Sequence, residues 1–201
     1  FFKGVKKLRP GHYYIFENGK LEIKSYYNLT LDYKEMTFDE AVSKIENEVE
    51  ESVKYHKISD VEVGSFLSGG VDSSYVVATA MPNKTFSVGF DNKGFDETVY
   101  AKELSDRLGI ENFSKIITPD EFFDGINKVQ YFSDEPHANL SSVALYFLSK
   151  LASEQVKVVL SGEGADELFA GYNEYADALP QRIYKKLPFC IRNKLYKKLK
   201  D

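Results

Sequence analysis

The chain has 201 residues, 43% of them hydrophobic and 28% charged, which fits a folded globular protein and excludes disordered or collagen-like classes. Its formal charge of −5 is uneven, since eight Lys/Arg against Asp201 give residues 182–201 a local +7 and leave −12 for the rest. There is no run of about eighteen apolar residues to span a bilayer. With one cysteine, Cys190, and no zinc-like Cys/His spacing, a soluble chain in a reducing, cytoplasmic compartment is expected.

The first element reads as a hairpin. Tyr13 and Ile15 alternate before Asn18-Gly19, Leu21 and Ile23 after it, and that pair suits a type I′ turn. Two strands alone are marginal, so residues 1–30 are expected to be the trailing edge of a domain lying upstream. A polar bridge leads to Thr37-Phe38-Asp39-Glu40, a capping-box pattern that opens a helix with Phe38, Val42, Ile45, Val49 and Val53 on one side. The period then shortens: Val61–Leu67 reads as a strand, Ser68-Gly69-Gly70 as a turn, and the following stretch through Ala80 as a helix.

Thr85–Phe90 reads as a strand, Asp96–Leu108 as a helix closed by Gly109, and Phe113–Ile117 as another strand. Thr118-Pro119 opens a helix with a cap and a proline at its first position, Ser141–Glu154 forms one more, and Val156–Leu160 is an apolar strand. This alternation predicts an α/β fold with a doubly wound parallel sheet. In the basic tail Ile183, Leu187, Ile191, Leu195 and Leu199 recur every four residues, which suggests the exposed side of an amphipathic helix rather than a nucleic-acid or membrane contact.

Two strand-to-helix turns carry chemistry. In Ser68-Gly69-Gly70-Val71-Asp72-Ser73-Ser74, two glycines let the backbone approach phosphate oxygens and three hydroxyls add donors, at the end of a helix that favours anions. It is not a Walker A loop, because the Lys-Ser/Thr end is missing, and Asp72 would reach phosphate only through a divalent cation. The bland alternative is a glycine turn with a capping Asp. Leu160-Ser161-Gly162-Glu163-Gly164-Ala165-Asp166-Glu167 repeats the architecture, and two such turns at one sheet edge would let Asp72 and Asp166 share a magnesium ion. Its acids could instead simply favour a helix start, a reading that suits Glu167 better than Glu163.

With both turns in hand, the sequence resembles the synthetase domain of glutamine-dependent asparagine synthetases, within the PP-loop ATP pyrophosphatases of the adenine nucleotide alpha hydrolase-like fold. SGGVDSS and LSGEGADELFAGY carry the resemblance, with SDVEVGSFL, TFSVGFD and SDEPHANLSS beside them. The second string is the more specific, since the first also fits relatives that make NAD or GMP or modify tRNA.

The resemblance implies an ATP-dependent amide ligase that makes asparagine from aspartate through β-aspartyl-AMP, with ammonia drawn from glutamine. ATP would bind with its adenine near Leu67, Val88, Ser161 and Gly162 and its phosphates on Ser68, Gly69, Gly70, Asp72 and Ser73. Mg2+ would sit on Asp72 and Asp166, and Glu163 would serve intermediate formation and ammonia attack. Three further residues are substrate-proximal candidates, each with a plainer reading: Asp96 as a helix N-cap, His137 as a local hydrogen-bond partner, Tyr172 as core or interface aromatic. The glutaminase nucleophile, an N-terminal cysteine, does not occur here, so residues 1–30 are expected to be the closing hairpin of that domain. Residues 31–201 would then be a synthetase domain incomplete at its C-terminus. As partners the resemblance implies aspartate, ATP, ammonia and the glutaminase domain, and it leaves a homodimer open. The rival expectations are a relative that adenylates another carboxylate, as in β-lactam formation or peptide and polymer amidation, and a nucleotide-binding module without turnover.

Overall fold

The structure, a computed structural model, describes residues 2–92, 94, 96–135, 138–175, 184, 186–189, 191 and 192. His137, Cys190 and most of the expected tail helix lie outside the described residues.

Strands β1 (His12–Glu17) and β2 (Lys20–Ser25) form the antiparallel hairpin, paired from His12–Ser25 to Glu17–Lys20. Asn18 and Gly19 take φ of 50° and 74°, the two left-handed residues that a type I′ turn requires. Both of its faces are open, with Phe16 68% exposed on one and Tyr13 42% on the other, so the hairpin contributes little to the core of this chain. Lys7 Nζ, just upstream, donates to Glu135 Oε2 at 2.7 Å.

Helix α1 (Phe38–His56) begins at the expected capping box, Glu40 N–H donating to Thr37 Oγ1 and Thr37 N–H to Glu40 Oε2. There follow β3 (Val63–Phe66), α2 (Val71–Ala80), β4 (Lys84–Phe90), α3 (Thr98–Leu108) and β5 (Glu111–Ile117). After them come α4 (Pro119–Phe132), α5 (Ser141–Ser153), β6 (Val158–Leu160) and the short α6 (Ala165–Phe169). At the cap expected at Thr118 the structure forms a full capping box with Glu121, and Pro119 takes the first helical position, where its missing N–H is not needed.

Strands β3 to β6 form a parallel sheet in the order β5-β4-β3-β6. From β3 the chain builds outward through β4 to β5, then returns over α4 and α5 and adds β6 on the far side of β3. Helices cover both faces, as expected for a doubly wound fold. On one face Leu67 packs with Val77 and Ala101 from α2 and α3, and Leu160 with Val53 and Ala80 from α1 and α2. On the other, Phe86 and Phe66 pack with Ala152 and Leu148 of α5, and Phe86 stacks on Phe113 at 5.6 Å. Phe86 is wholly buried, so its truncation to Ala costs about 3–5 kcal/mol.

Buried hydroxyls lock the strand ends in register. Ser87 Oγ donates to Leu67 O at 2.7 Å, and Ser65 Oγ to Leu160 O at 3.3 Å, so β4 is tied to the exit of β3 and β3 to the exit of β6. Buried polar groups survive only when paired, and these pairs hold the two exits side by side.

Several boundaries differ from expectation: β3 covers only Val63–Phe66 of the expected Val61–Leu67, β4 and α5 shift by one residue, and three others have a visible cause. Helix α3 starts at Thr98 rather than Asp96, because Asp96 stays in the preceding loop and its Oδ1 accepts from Thr98 N–H at 3.0 Å and the Thr98 hydroxyl at 2.5 Å. Strand β6 starts at Val158 rather than Val156, whose N–H is spent on Ala152 O at the exit of α5. Strand β5 starts earlier, at Glu111, because the Asn112 amide donates to Thr85 Oγ1 and Ser87 Oγ and pulls a polar residue into the sheet.

Candidate functional site

In an open parallel sheet a crevice forms where neighbouring strands lead their connections in opposite directions, outside the carboxyl ends of those strands. Here that point lies between β3 and β6, and the two glycine turns leave from these strands. The turns are in contact. A Cβ on Gly162 would fall 2.8 Å from Ser73 N, 3.0 Å from the Asp72 carbonyl carbon and 3.1 Å from Ser73 Cα, so only glycine lets the second turn rest on the first turn of α2.

A cavity of about 260 Å³ opens at this junction. Ser68, Asp72 and Ser73 line it from the first turn, Ser161, Gly162, Glu163 and Asp166 from the second, and Leu67, Val88 and Tyr172 complete the set. Ten of the residues singled out in the sequence thus share one hollow. Gly69, Gly70 and Asp96 do not line it. Gly70 is the N-cap of α2, and Gly69, with φ of 86°, makes the left-handed bend that brings the turn there. Asp96 is half-buried in the loop before α3, where its Oδ1 accepts from Thr98, but it is not the helix N-cap: that position is Glu97, which makes no side-chain cap. Phe66, Leu145, Leu148 and Gly164 also line the cavity and were not singled out. The leucines lie at i and i+3 on α5, and their helical spacing marks an apolar face without telling core from cavity wall.

The first turn is wired by its own hydroxyls. Ser68 N–H donates to Ser73 Oγ at 3.2 Å, the two serine hydroxyls lie 2.9 Å apart, and Gly70 N–H donates to Ser68 Oγ at 3.3 Å. Helix α2 begins without a side-chain cap, so no capping side chain takes its leading N–H groups, and such groups suit an anion. In the second turn Glu163 N–H donates to Ser161 Oγ at 3.0 Å, which fixes the glutamate's backbone inside the turn.

Negative charge dominates. Asp72, Glu163 and Asp166 line the cavity and, among the described residues, no Lys, Arg or His does. Tyr172 reports that field: its hydroxyl donates to Glu167 Oε1 at 2.9 Å, and that bond, with the nearby charges of Asp166 and Glu163, raises the phenol to about 12. A triphosphate could enter such a hollow only with its charge compensated. Among the described residues no group of three or more His, Cys, Asp or Glu is arranged to hold a metal ion. Two carboxylates are nevertheless what magnesium usually takes from a protein, with phosphate oxygens and water filling its remaining positions, and Asp72 and Asp166 offer that pair. On the other side of the same turns, α1, α2 and α6 border a larger, mostly apolar groove of about 770 Å³.

The asparagine synthase family model matches residues 44–200. An asparagine synthetase (glutamine-hydrolysing) of Bacillus subtilis, number 1, is 42% identical over 196 residues, covering 95% of this chain and 31% of its own length. Its number 3 counterpart is 30% identical over 191 residues, 85% of this chain and 31% of its own length. The chain therefore spans about a third of the length of these curated relatives. Among solved structures, an NMN synthetase from Francisella tularensis aligns with 69% of this chain and 59% of its own at 21% identity and a TM-score of 0.43. With its family match covering most of the sequence, including both glycine turns, the chain belongs to the asparagine synthase family.

Proposed function

We propose that this chain is the synthetase part of an ATP-dependent amide ligase that makes asparagine from aspartate and ammonia, the ammonia coming from glutamine in a glutaminase domain of the full-length protein. The observation that carries this reading is the contact of the two glycine turns at the switch point of the sheet, over one acidic cavity. Family membership supports ATP-dependent ligase chemistry, and residues 1–30 would be the closing hairpin of the glutaminase domain.

In this reading Leu67, Val88 and the Ser161-Gly162 backbone enclose the adenine, while Ser68, Gly69, Gly70 and Ser73 present donors to the phosphates. Magnesium on Asp72 and Asp166 would neutralise the triphosphate and ease departure of pyrophosphate. A side-chain carboxylate oxygen of aspartate attacks the α-phosphorus, the bond to the bridging oxygen breaks, and pyrophosphate leaves β-aspartyl-AMP. Ammonia then attacks the acyl carbon and AMP departs with the bonding electrons. Glu163 accepts the proton lost by the attacking nitrogen, a general-base task for which placement matters first.

The test is pyrophosphate release by the full-length protein with aspartate against other carboxylic acids. Release that requires aspartate supports the reading, release indifferent to it refutes the assignment, and release with another acid would point to a different amidotransferase.

A further inference from the structure

We propose that Gly171 is a positioning residue that seats the Asp166 carboxylate, an inference that takes from the proposed function the role of Asp166 as a metal ligand. Helix α6 ends on Ala170, in the left-handed region at φ of 56°, and the turn folds Gly171 back so that its N–H donates to Asp166 O at 3.0 Å. This places the Gly171 Cα beneath the Asp166 side chain. A Cβ there would fall 2.0 Å from Asp166 Oδ1 and 3.1 Å from its carboxyl carbon, so the carboxylate occupies the space that any other residue would fill. The Tyr172 hydroxyl bonded to Glu167 Oε1 ties the same turn to α6 from its far side.

The clash falls on one group only. Gly171 is not among the glycines with positive φ, so alanine can adopt its backbone conformation, and the obstructing atoms belong mainly to the end of a rotatable side chain. Gly171→Ala therefore leaves the fold in place and swings the carboxylate away. Groups that orient a ligand carboxylate are typically worth about 10–100-fold in metal affinity, although they never touch the metal.

The experiment uses the full-length protein and reads the Mg2+ concentration that half-saturates ATP binding, by calorimetry, for wild type, Gly171→Ala, Asp166→Ala and the double variant. The expected result is a rise of about 10–100-fold in Gly171→Ala with an unchanged thermal midpoint, and no additional rise when the change is added to Asp166→Ala. A wild-type Mg2+ requirement in Gly171→Ala beside a shifted one in Asp166→Ala, or effects that add, overturns the positioning role. A wild-type requirement in Asp166→Ala overturns instead the metal-ligand reading. A crystal structure of Gly171→Ala separates the two: the carboxylate displaced from its present seat supports the geometric claim, and the carboxylate in its present place refutes it.

Discussion

Gly162→Ala probes the contact on which the site depends. The new Cβ would lie 2.8 Å from Ser73 N and 3.0 Å from the Asp72 carbonyl carbon, and both are backbone atoms that cannot rotate aside. The second turn must therefore lift off α2 or the start of α2 must yield. Overpacking of this kind costs about 1–3 kcal/mol, of which about 0.4–1 is offset because alanine also restricts the unfolded chain. The expected net loss of roughly 1–2 kcal/mol lowers the thermal midpoint by about 2–8 °C in a chain of this size. Because the displaced turn carries Ser161, Glu163 and Asp166, calorimetric titration with Mg·ATP should show affinity weakened by about tenfold or more, equivalent to about 1.4 kcal/mol. Gly164→Ala is the control: Gly164 has φ of 94° with nothing within 4 Å of a Cβ, so it pays left-handed strain of about 1–2 kcal/mol without pushing the turns apart. A Gly162→Ala protein with wild-type midpoint and wild-type nucleotide affinity would refute the reasoning.

Alanine at Asp72 or Asp166 should raise the Mg2+ requirement of ATP binding strongly and leave the far-ultraviolet spectrum and unfolding midpoint nearly unchanged, since site carboxylates at loop ends carry little of the stability; undiminished affinity in both variants would contradict their shared role. Thr118→Ala removes the N-cap of α4 and should cost about 1 kcal/mol in denaturant unfolding with no effect on nucleotide binding. Glu62 and Glu121 are held below the ordinary carboxylate value of 4.5, Glu62 by hydrogen bonds from Lys84 and Asn83 and Glu121 by those from Lys115 and the Thr118 backbone. A depressed folded value means that their stabilisation is present above about pH 4.5 and lost as pH falls through the lower folded value, so Glu121→Gln should flatten the acid limb of the stability profile. A limb of unchanged slope would count against it.

What the sequence disclosed was mostly local chemistry. The capping box at Thr37, the cap at Thr118, the Asn18-Gly19 turn and the glycine closing α3 depend on residues within a few positions of each other, and each formed where expected. Of the boundaries that moved with a visible cause, that of β5 did so through a distant contact, Asn112 reaching Thr85 and Ser87 on another strand, whereas those of α3 and β6 turn on bonds two and four positions away, Thr98 to Asp96 and Val156 to Ala152, which leave no pattern in residue type. The strand order β5-β4-β3-β6 has no local signature, because parallel neighbours meet only after a crossover. Both glycine turns were legible as strand-to-helix turns, yet their contact at Gly162 and the seat that Gly171 leaves for Asp166 are matters of three-dimensional clearance. Phe66, Leu145 and Leu148 were missed for a related reason: an apolar side chain on a wall looks the same in sequence as one in a core.

The central claim, that one nucleotide bridges the turns after β3 and β6, is tested most directly by amide hydrogen exchange of the full-length protein with and without Mg·ATP. The account predicts that residues 68–74 and 161–166 gain protection together at the same nucleotide concentration. Protection of one segment alone, or of neither while ATP is bound, would contradict it.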